Sequence, residues 1–202
     1  MPTRTPVPKP GDTKAWLRDL NDLLRSVILD EQAPARWQTV PCRFLPFGAT
    51  PPGIVSFGSI ELPHFDAASN ESIPFTLQLP HTWYEGSDVY PYVRWSPTSA
   101  DTGVVSWEFI YRWANADSPF STATSEIIDQ AGGGTAGMNL LALSTPVAAD
   151  GKYIGATLVG MINRLASSGG DTYTDDAVLI DAGLLIQVDT SRGSVKRAGK
   201  WS

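Results

Sequence analysis

The sequence predicts an all-β protein: an antiparallel jelly-roll sandwich with an N-terminal extended arm and one amphipathic helix. Three observations predict it. Apolar residues alternate with a period of two over six or more segments after residue 71, loops rich in Gly, Ser and Asp separate these segments, and only one stretch has helical periodicity. Charged residues make up 18% of the 202 residues, and 18 Gly and 16 Pro favour a turn-rich β body over a helical bundle.

Residues 1–11 are predicted to be an extended arm, because proline fixes φ and removes backbone donors. The prolines that we expect to contact a partner are Pro6, Pro8 and Pro10. The alternative interpretation of this segment is a tail that contacts nothing.

Residues 12–32 predict an amphipathic helix that begins at the N-cap Asp12. Its apolar stripe consists of Trp16, Leu17, Leu20, Leu23, Leu24, Val27 and Ile28. A helix of this length is only marginally stable alone in water, so the stripe must pack on something. The body of the same chain, further copies around a symmetry axis and another protein all remain open as the surface that covers it.

Residues 33–70 predict a connector with short strands near Val55, Phe57 and Ile60, and residues 71–202 predict the sandwich. In the third strand after residue 71, one face is Val105, Trp107, Phe109, Tyr111 and Trp113, which favours a packed core between two sheets. In the last strand, one face is expected to be Val178, Ile180, Ala182, Leu184, Ile186 and Val188.

The composition argues against several classes of partner. A formal net charge of -6 disfavours binding to a phosphate backbone, and no window is long and apolar enough to span a bilayer. Cys42 is the single cysteine, which excludes an intrachain disulfide and fits assembly in a reducing cytoplasm. We therefore expect a soluble protein that binds neither nucleic acid nor membrane.

Candidate chemistry is weak throughout the chain. His64 and His81 lack the spacing of a metal site, and Cys42 lacks the helix start that would activate a thiol. Glu108 lies on the same strand as Trp107 and Trp113, on the opposite face, and an acid near tryptophans is found in sugar-binding and glycosidase sites, but no second acid has a similar context. The remaining weak metal candidates are the acids of a Gly-rich loop, Asp171, Asp175 and Asp176. We expect no enzymatic activity and no cofactor.

Three segments carry a family resemblance: LPHTWYEGSDVYPYVRWSP, then WEFIYRWAN, then GGDTYTDDAVLIDAGLLIQVD. Together they resemble a family of tailed-bacteriophage virion proteins over roughly residues 75–190. Tyr92 and Arg94 stand where the family pattern has histidines, which strengthens a structural role for this stretch. The resemblance implies a jelly-roll virion component without catalytic activity, assembled as a homotrimer.

From this resemblance we expect a capsid decoration or cement protein, located in the virion and assembled in the host cytoplasm. Its expected partners are the major capsid protein, bound by the arm and helix, and two further copies of itself. Interface candidates between copies are Tyr90, Tyr92 and Arg94, because aromatic residues and arginine are enriched at interfaces. The alternatives are a tail, neck or head-fibre protein, with or without carbohydrate binding, and, less favoured, a glycosidase.

Overall fold

The structure, a computed structural model, describes residues 36–45 and 50–189, and these contain eleven β-strands and no helix. The predicted arm (1–11) and helix (12–32) lie outside the described residues. Residues Trp37–Asp189 form one compact unit. The strands are β1 (Arg36–Pro41), β2 (Arg43–Phe44), β3 (Gly53–Phe57), β4 (Ile60–Phe65), β5 (Glu71–Gln78), β6 (Val89–Pro97), β7 (Val104–Ala114), β8 (Thr124–Ala131), β9 (Leu140–Leu143), β10 (Thr157–Arg164) and β11 (Ala177–Val188).

The strands form two antiparallel sheets, which confirms the predicted all-β class. Sheet A has the order β3-β4-β11-β6-β9, with β1 also paired to β11, and sheet B has the order β2-β5-β10-β7-β8. The pairing is nested along the chain: β4 pairs with β11, β5 with β10, β6 with β9, and β7 with β8. Segments far apart in sequence therefore lie side by side.

The core lies between the sheets and is largely aromatic. The predicted inward face of β7 is confirmed, since all five of its apolar residues are buried. Trp107 makes edge contacts with Phe65 on β4 and Trp95 on β6, at centroid distances of 5.2 and 6.3 Å. Because each ring presents its edge to the next, these contacts connect the two sheets through favourable aromatic geometry.

For the last strand, β11, the prediction of which side chains face the core is wrong before residue 181. The pairing of β11 with β6 shifts between Leu179 and Asp181, which leaves Ile180 as a bulge residue. Before the bulge Ala177 and Leu179 belong to the core, and after it the core positions are Ala182, Leu184 and Ile186. An extra residue in one strand reverses which side chains point inward.

The region predicted as a connector, residues 33–70, contributes strands to both sheets. β1, β3 and β4 belong to sheet A, and β2 pairs with β5 in sheet B. The segment β8 was not predicted as a strand. Its two central apolar residues are adjacent, and only Ile128 is buried, whereas Ile127 is 52% exposed.

Candidate functional site

The most elaborate polar cluster lies where β10 ends, around the side chain of Arg164, which is fully buried. Its Nε and Nη2 donate to Oδ2 and Oδ1 of Asp171, each at 3.0 Å. Nη1 donates to the carbonyl oxygens of Phe65 and Asp175 at 3.1 and 2.8 Å, and Nη2 also donates to the Tyr173 carbonyl oxygen at 2.6 Å. All five guanidinium N–H groups therefore have a partner.

Asp171, whose carboxylate neutralises Arg164, is also buried and hydrogen-bonded within the chain. Its side chain is 1% exposed, and Oδ2 also accepts the backbone N–H of Ser106 on β7 at 3.1 Å. The Arg164 guanidinium lies 5.7 Å from the centroid of the Tyr173 ring, within the range of a cation–π contact. The pair thus connects β10, β7, β4 and the loop before β11 at one end of the sandwich.

The outer part of the same loop is held by carboxylates and hydroxyl groups. Asp101 accepts hydrogen bonds from the backbone N–H and hydroxyl of Thr174, both at 2.8 Å, and from the Gly103 N–H at 2.9 Å. These bonds, with the Thr174 N–H first, lower the pKa of Asp101 to about 2. The Tyr173 hydroxyl accepts the Ser99 N–H at 3.1 Å. The loops before β7 and before β11 are therefore joined to each other.

The three acids predicted as weak metal candidates do not converge. Asp171 contacts Arg164, Asp175 Oδ2 accepts the Ser99 hydroxyl at 2.6 Å, and Asp176 Oδ2 lies 3.6 Å from His64 Nδ1. Among the described residues, no three His, Cys, Asp or Glu side chains are grouped as metal ligands. The Arg164 guanidinium occupies the centre of this loop, the position that the calcium hypothesis assigned to a metal ion.

The candidate catalytic groups lack the surroundings that catalysis needs. Burial raises the pKa of the Cys42 thiol, and the nearby Asp181 carboxylate raises it further, so the thiolate is disfavoured. His81 is exposed. Glu108 accepts a hydrogen bond from Asn163 Nδ2 at 2.8 Å on the outer face of sheet B, whereas Trp107 is fully buried on the inner face. The pairing of an acid with a sugar-stacking tryptophan, which the disfavoured sugar-binding and glycosidase alternatives require, is therefore not formed at Glu108.

The three residues predicted to form an interface between copies have different surroundings in the structure. Tyr92 is 1% exposed, and its hydroxyl donates to Asp181 Oδ2 at 2.7 Å, so its side chain is used within the chain. Burial, with that hydrogen bond, raises the pKa of Tyr92. Tyr90 stacks edge-on against Trp37 at 5.4 Å, and Arg94 is half-buried, so these two remain candidates.

Apolar side chains are exposed on sheet A, a feature that the sequence analysis did not predict. They lie on the β3–β4 hairpin, where Ile54, Phe57 and Ile60 are 63, 36 and 57% exposed. Others lie on β9, at the opposite edge of the sheet, where Leu141 and Leu143 are 47 and 46% exposed. Phe57 pairs with Ile60 across the hairpin, and Leu141 and Leu143 share one face of β9, so each edge carries a small group of exposed apolar side chains, as interaction surfaces do.

No family model and no curated protein sequence matches the chain. In the part that the structure describes, there is no helix with the length and apolarity to cross a bilayer.

Proposed function

We propose that the chain is a non-enzymatic structural protein of a tailed-bacteriophage virion, a capsid decoration or cement protein that binds the major capsid protein as a homotrimer. The observation that carries the proposal is the contrast between the two kinds of surface. The cluster around Arg164 and Asp171 is satisfied within the chain, whereas the β3–β4 hairpin and β9, at two edges of sheet A, expose apolar side chains. Such a surface suits adhesion rather than reaction chemistry.

The nested strand pairing supports a jelly roll as the fold of this virion component. If a long antiparallel hairpin of β4–β7 and β8–β11 is rolled up, its paired strands separate alternately into two sheets. The orders β4-β11-β6-β9 and β5-β10-β7-β8 are those that this winding generates. Jelly rolls of eight strands in two Greek keys are common in viral capsid proteins.

The resemblance in the sequence gains a physical explanation from the Arg164 cluster. The GGDTYTDD segment supplies Asp171, Tyr173 and Asp175, and all three contribute atoms to the hydrogen bonds of Arg164. These residues stabilise the end of the sandwich. A motif with a stabilising role is what a protein without catalytic activity would retain, which supports the non-enzymatic interpretation.

The arm and helix are the proposed contact with the major capsid protein. This part of the proposal rests on sequence: the prolines of residues 1–11 favour an extended segment, and the stripe from Trp16 to Ile28 needs an apolar surface. An arm and a helix together add contact area to a subunit that must stay bound at many positions on a particle.

A sedimentation assay with capsid shells of the encoding phage, prepared without this protein, tests the proposal. The full chain is expected to sediment with the shells and to saturate in multiples of three copies. A variant with Leu20→Ser and Leu24→Ser in the apolar stripe is expected to remain in the supernatant. The matched control, Arg18→Ser with Arg25→Ser on the polar face, is expected to sediment like the unaltered protein.

Two results would overturn the proposal. Failure of the full chain to bind shells, together with binding to isolated tails or necks, would move the protein to that part of the particle. Release of sugars from a glycan substrate, abolished by Glu108→Gln, would replace the structural role with that of a glycosidase. Full shell binding by the Leu20→Ser, Leu24→Ser variant would refute the helix as the anchor.

A further inference from the structure

Two edges of sheet A, β3 and β9, differ from the other open sheet edges among the described strands in carrying no charge. Among the described strands, β1, β2 and β8 have an open edge that contains a charged residue: Arg36, Arg43, and Glu126 with Asp129 respectively. By contrast, β3 reads GIVSF and β9 reads LLAL, without a charge or a proline. Edge strands of soluble proteins usually carry charges or prolines that prevent pairing with another chain. These two edges lack that protection.

The β3–β4 hairpin extends beyond the body of its sheet. β4 pairs with β11 only through His64 and Phe65, and Pro63 has no N–H with which to continue the ladder. The cross-strand pairs Val55–Leu62 and Phe57–Ile60 lie on the same face, so the part of that face nearest the turn is apolar. A two-stranded hairpin is marginally stable in water, and this one therefore needs a further contact.

The outer face of β9 at the opposite edge has matching chemistry. Leu141 and Leu143 pair with Arg94 and Tyr92 of β6, while Ala142 between them is part of the core. The two leucines therefore lie on the outer face of sheet A. His64 of β4 also lies outward, because Phe65 points into the core, so the apolar face of the hairpin is on that same outer side.

We propose that β3 of one copy pairs with β9 of the next copy, so that sheet A continues from subunit to subunit around a closed ring. β3 has five residues and β9 has four, so one ladder engages nearly the whole of each edge. In that ladder Val55 and Phe57 lie beside Leu141 and Leu143 of the neighbouring copy. This inference rests on the proposed homotrimer and names its interface.

A second copy fits these edges better than a charged partner or a twofold contact. The chain has a formal net charge of -6, so two copies repel each other least where they meet through uncharged surfaces. A twofold contact would use one edge twice and leave the other open. A head-to-tail contact covers both edges with one interface, and head-to-tail contacts generate rings when the rotation closes.

Three matched substitutions test the inference: Phe57→Lys on β3, Leu143→Lys on β9 and the control Ile127→Lys on β8. Each residue is at least 36% exposed in the single chain, so the fold should tolerate lysine at all three positions. Thermal melts verify that each variant folds, and light scattering coupled to gel filtration measures its mass. The unaltered protein and the β8 variant should show three times the chain mass of 21.8 kDa. The β3 and β9 variants should each show the mass of one chain.

Mixing the two edge variants gives the decisive result. The β3 variant retains an intact β9, and the β9 variant retains an intact β3, so an equimolar mixture should form a species of two chains and no larger one. If the β9 variant alone remains oligomeric, copies pair through β3 twice and the inference is overturned. If both edge variants remain trimeric, the interface lies elsewhere while the homotrimer stands. If the unaltered protein has the mass of one chain at every concentration in solution, and also binds to shells as single copies, both proposals fail.

Discussion

The buried Arg164–Asp171 pair provides the sharpest test of how this fold is stabilised. Asp171→Asn retains the size of the side chain but removes the charge that neutralises a fully buried guanidinium. Removal of one partner from a buried ion pair costs about 3–5 kcal/mol, because the other charge remains buried without compensation. For a domain of this size, that loss lowers the melting temperature by roughly 6–20 °C.

Equilibrium unfolding in guanidinium chloride measures the change in the free energy of unfolding. Asp175→Asn is the matched control, since this exposed carboxylate accepts a single side-chain hydrogen bond, from Ser99, and its loss should cost about 1 kcal/mol or less. Arg164→Met combined with Asp171→Leu should be less destabilised than the sum of the two single changes, because no charge is left unpaired. Equal and small effects of Asp171→Asn and Asp175→Asn would refute the reasoning.

Three further predictions concern single residues. Cys42 should not react with a thiol reagent at neutral pH until the chain is unfolded, because burial raises its pKa; rapid labelling of the folded protein would contradict this. Gly160→Ala should destabilise the protein by about 1–3 kcal/mol in denaturant unfolding, since the new Cβ would overlap the Ile110 carbonyl oxygen, whereas Gly169→Ala, with open space around it, should be nearly neutral. The pKa of Asp101 is lowered from 3.8 to about 2, so its contribution to stability is complete above pH 3.8 and is lost as the pH falls towards 2. Denaturant unfolding of the unaltered protein and of Asp101→Asn at several pH values measures this contribution. The difference in stability between the two proteins should shrink over that interval.

Much of the sandwich could be predicted from alternation because large apolar residues recur at every second position on the core face of several strands. In β7 four of the five inward residues are aromatic and all five are buried, whereas the outward Glu108 and Arg112 are charged and less buried, so the period of two can be recognised in the sequence. The bulge at Ile180 could not be predicted in the same way. Leu179 and Asp181 pair with consecutive residues of β6, Trp95 and Arg94, and this register depends on the partner strand rather than on β11 alone.

The Arg164 cluster was missed although a signal for it exists in the sequence. Leu158, Gly160 and Ile162 alternate on one side of β10, and the same period places Arg164 on the core face. A lone arginine at a core position requires a buried acid, and the acids of the following Gly-rich loop are the nearest candidates. The loop alone suggested a calcium site, because carboxylates near glycines serve equally well around a metal ion and around a guanidinium.

Candidate catalytic groups such as Cys42 and Tyr92 are buried or hydrogen-bonded within the chain, whereas apolar side chains and strand edges of sheet A are exposed. This contrast explains why adhesion, rather than catalysis, is the function to test first. A catalytic group needs access to substrate and a pKa near its working pH, whereas the thiol of Cys42 is buried with a raised pKa and the Tyr92 hydroxyl already donates to Asp181. Hydrogen-bonding capacity at the loop end is likewise used within the chain by Arg164 and Asp171. The β3 and β9 edges of sheet A, by contrast, offer apolar area and backbone edge, and both suit contact with another protein surface.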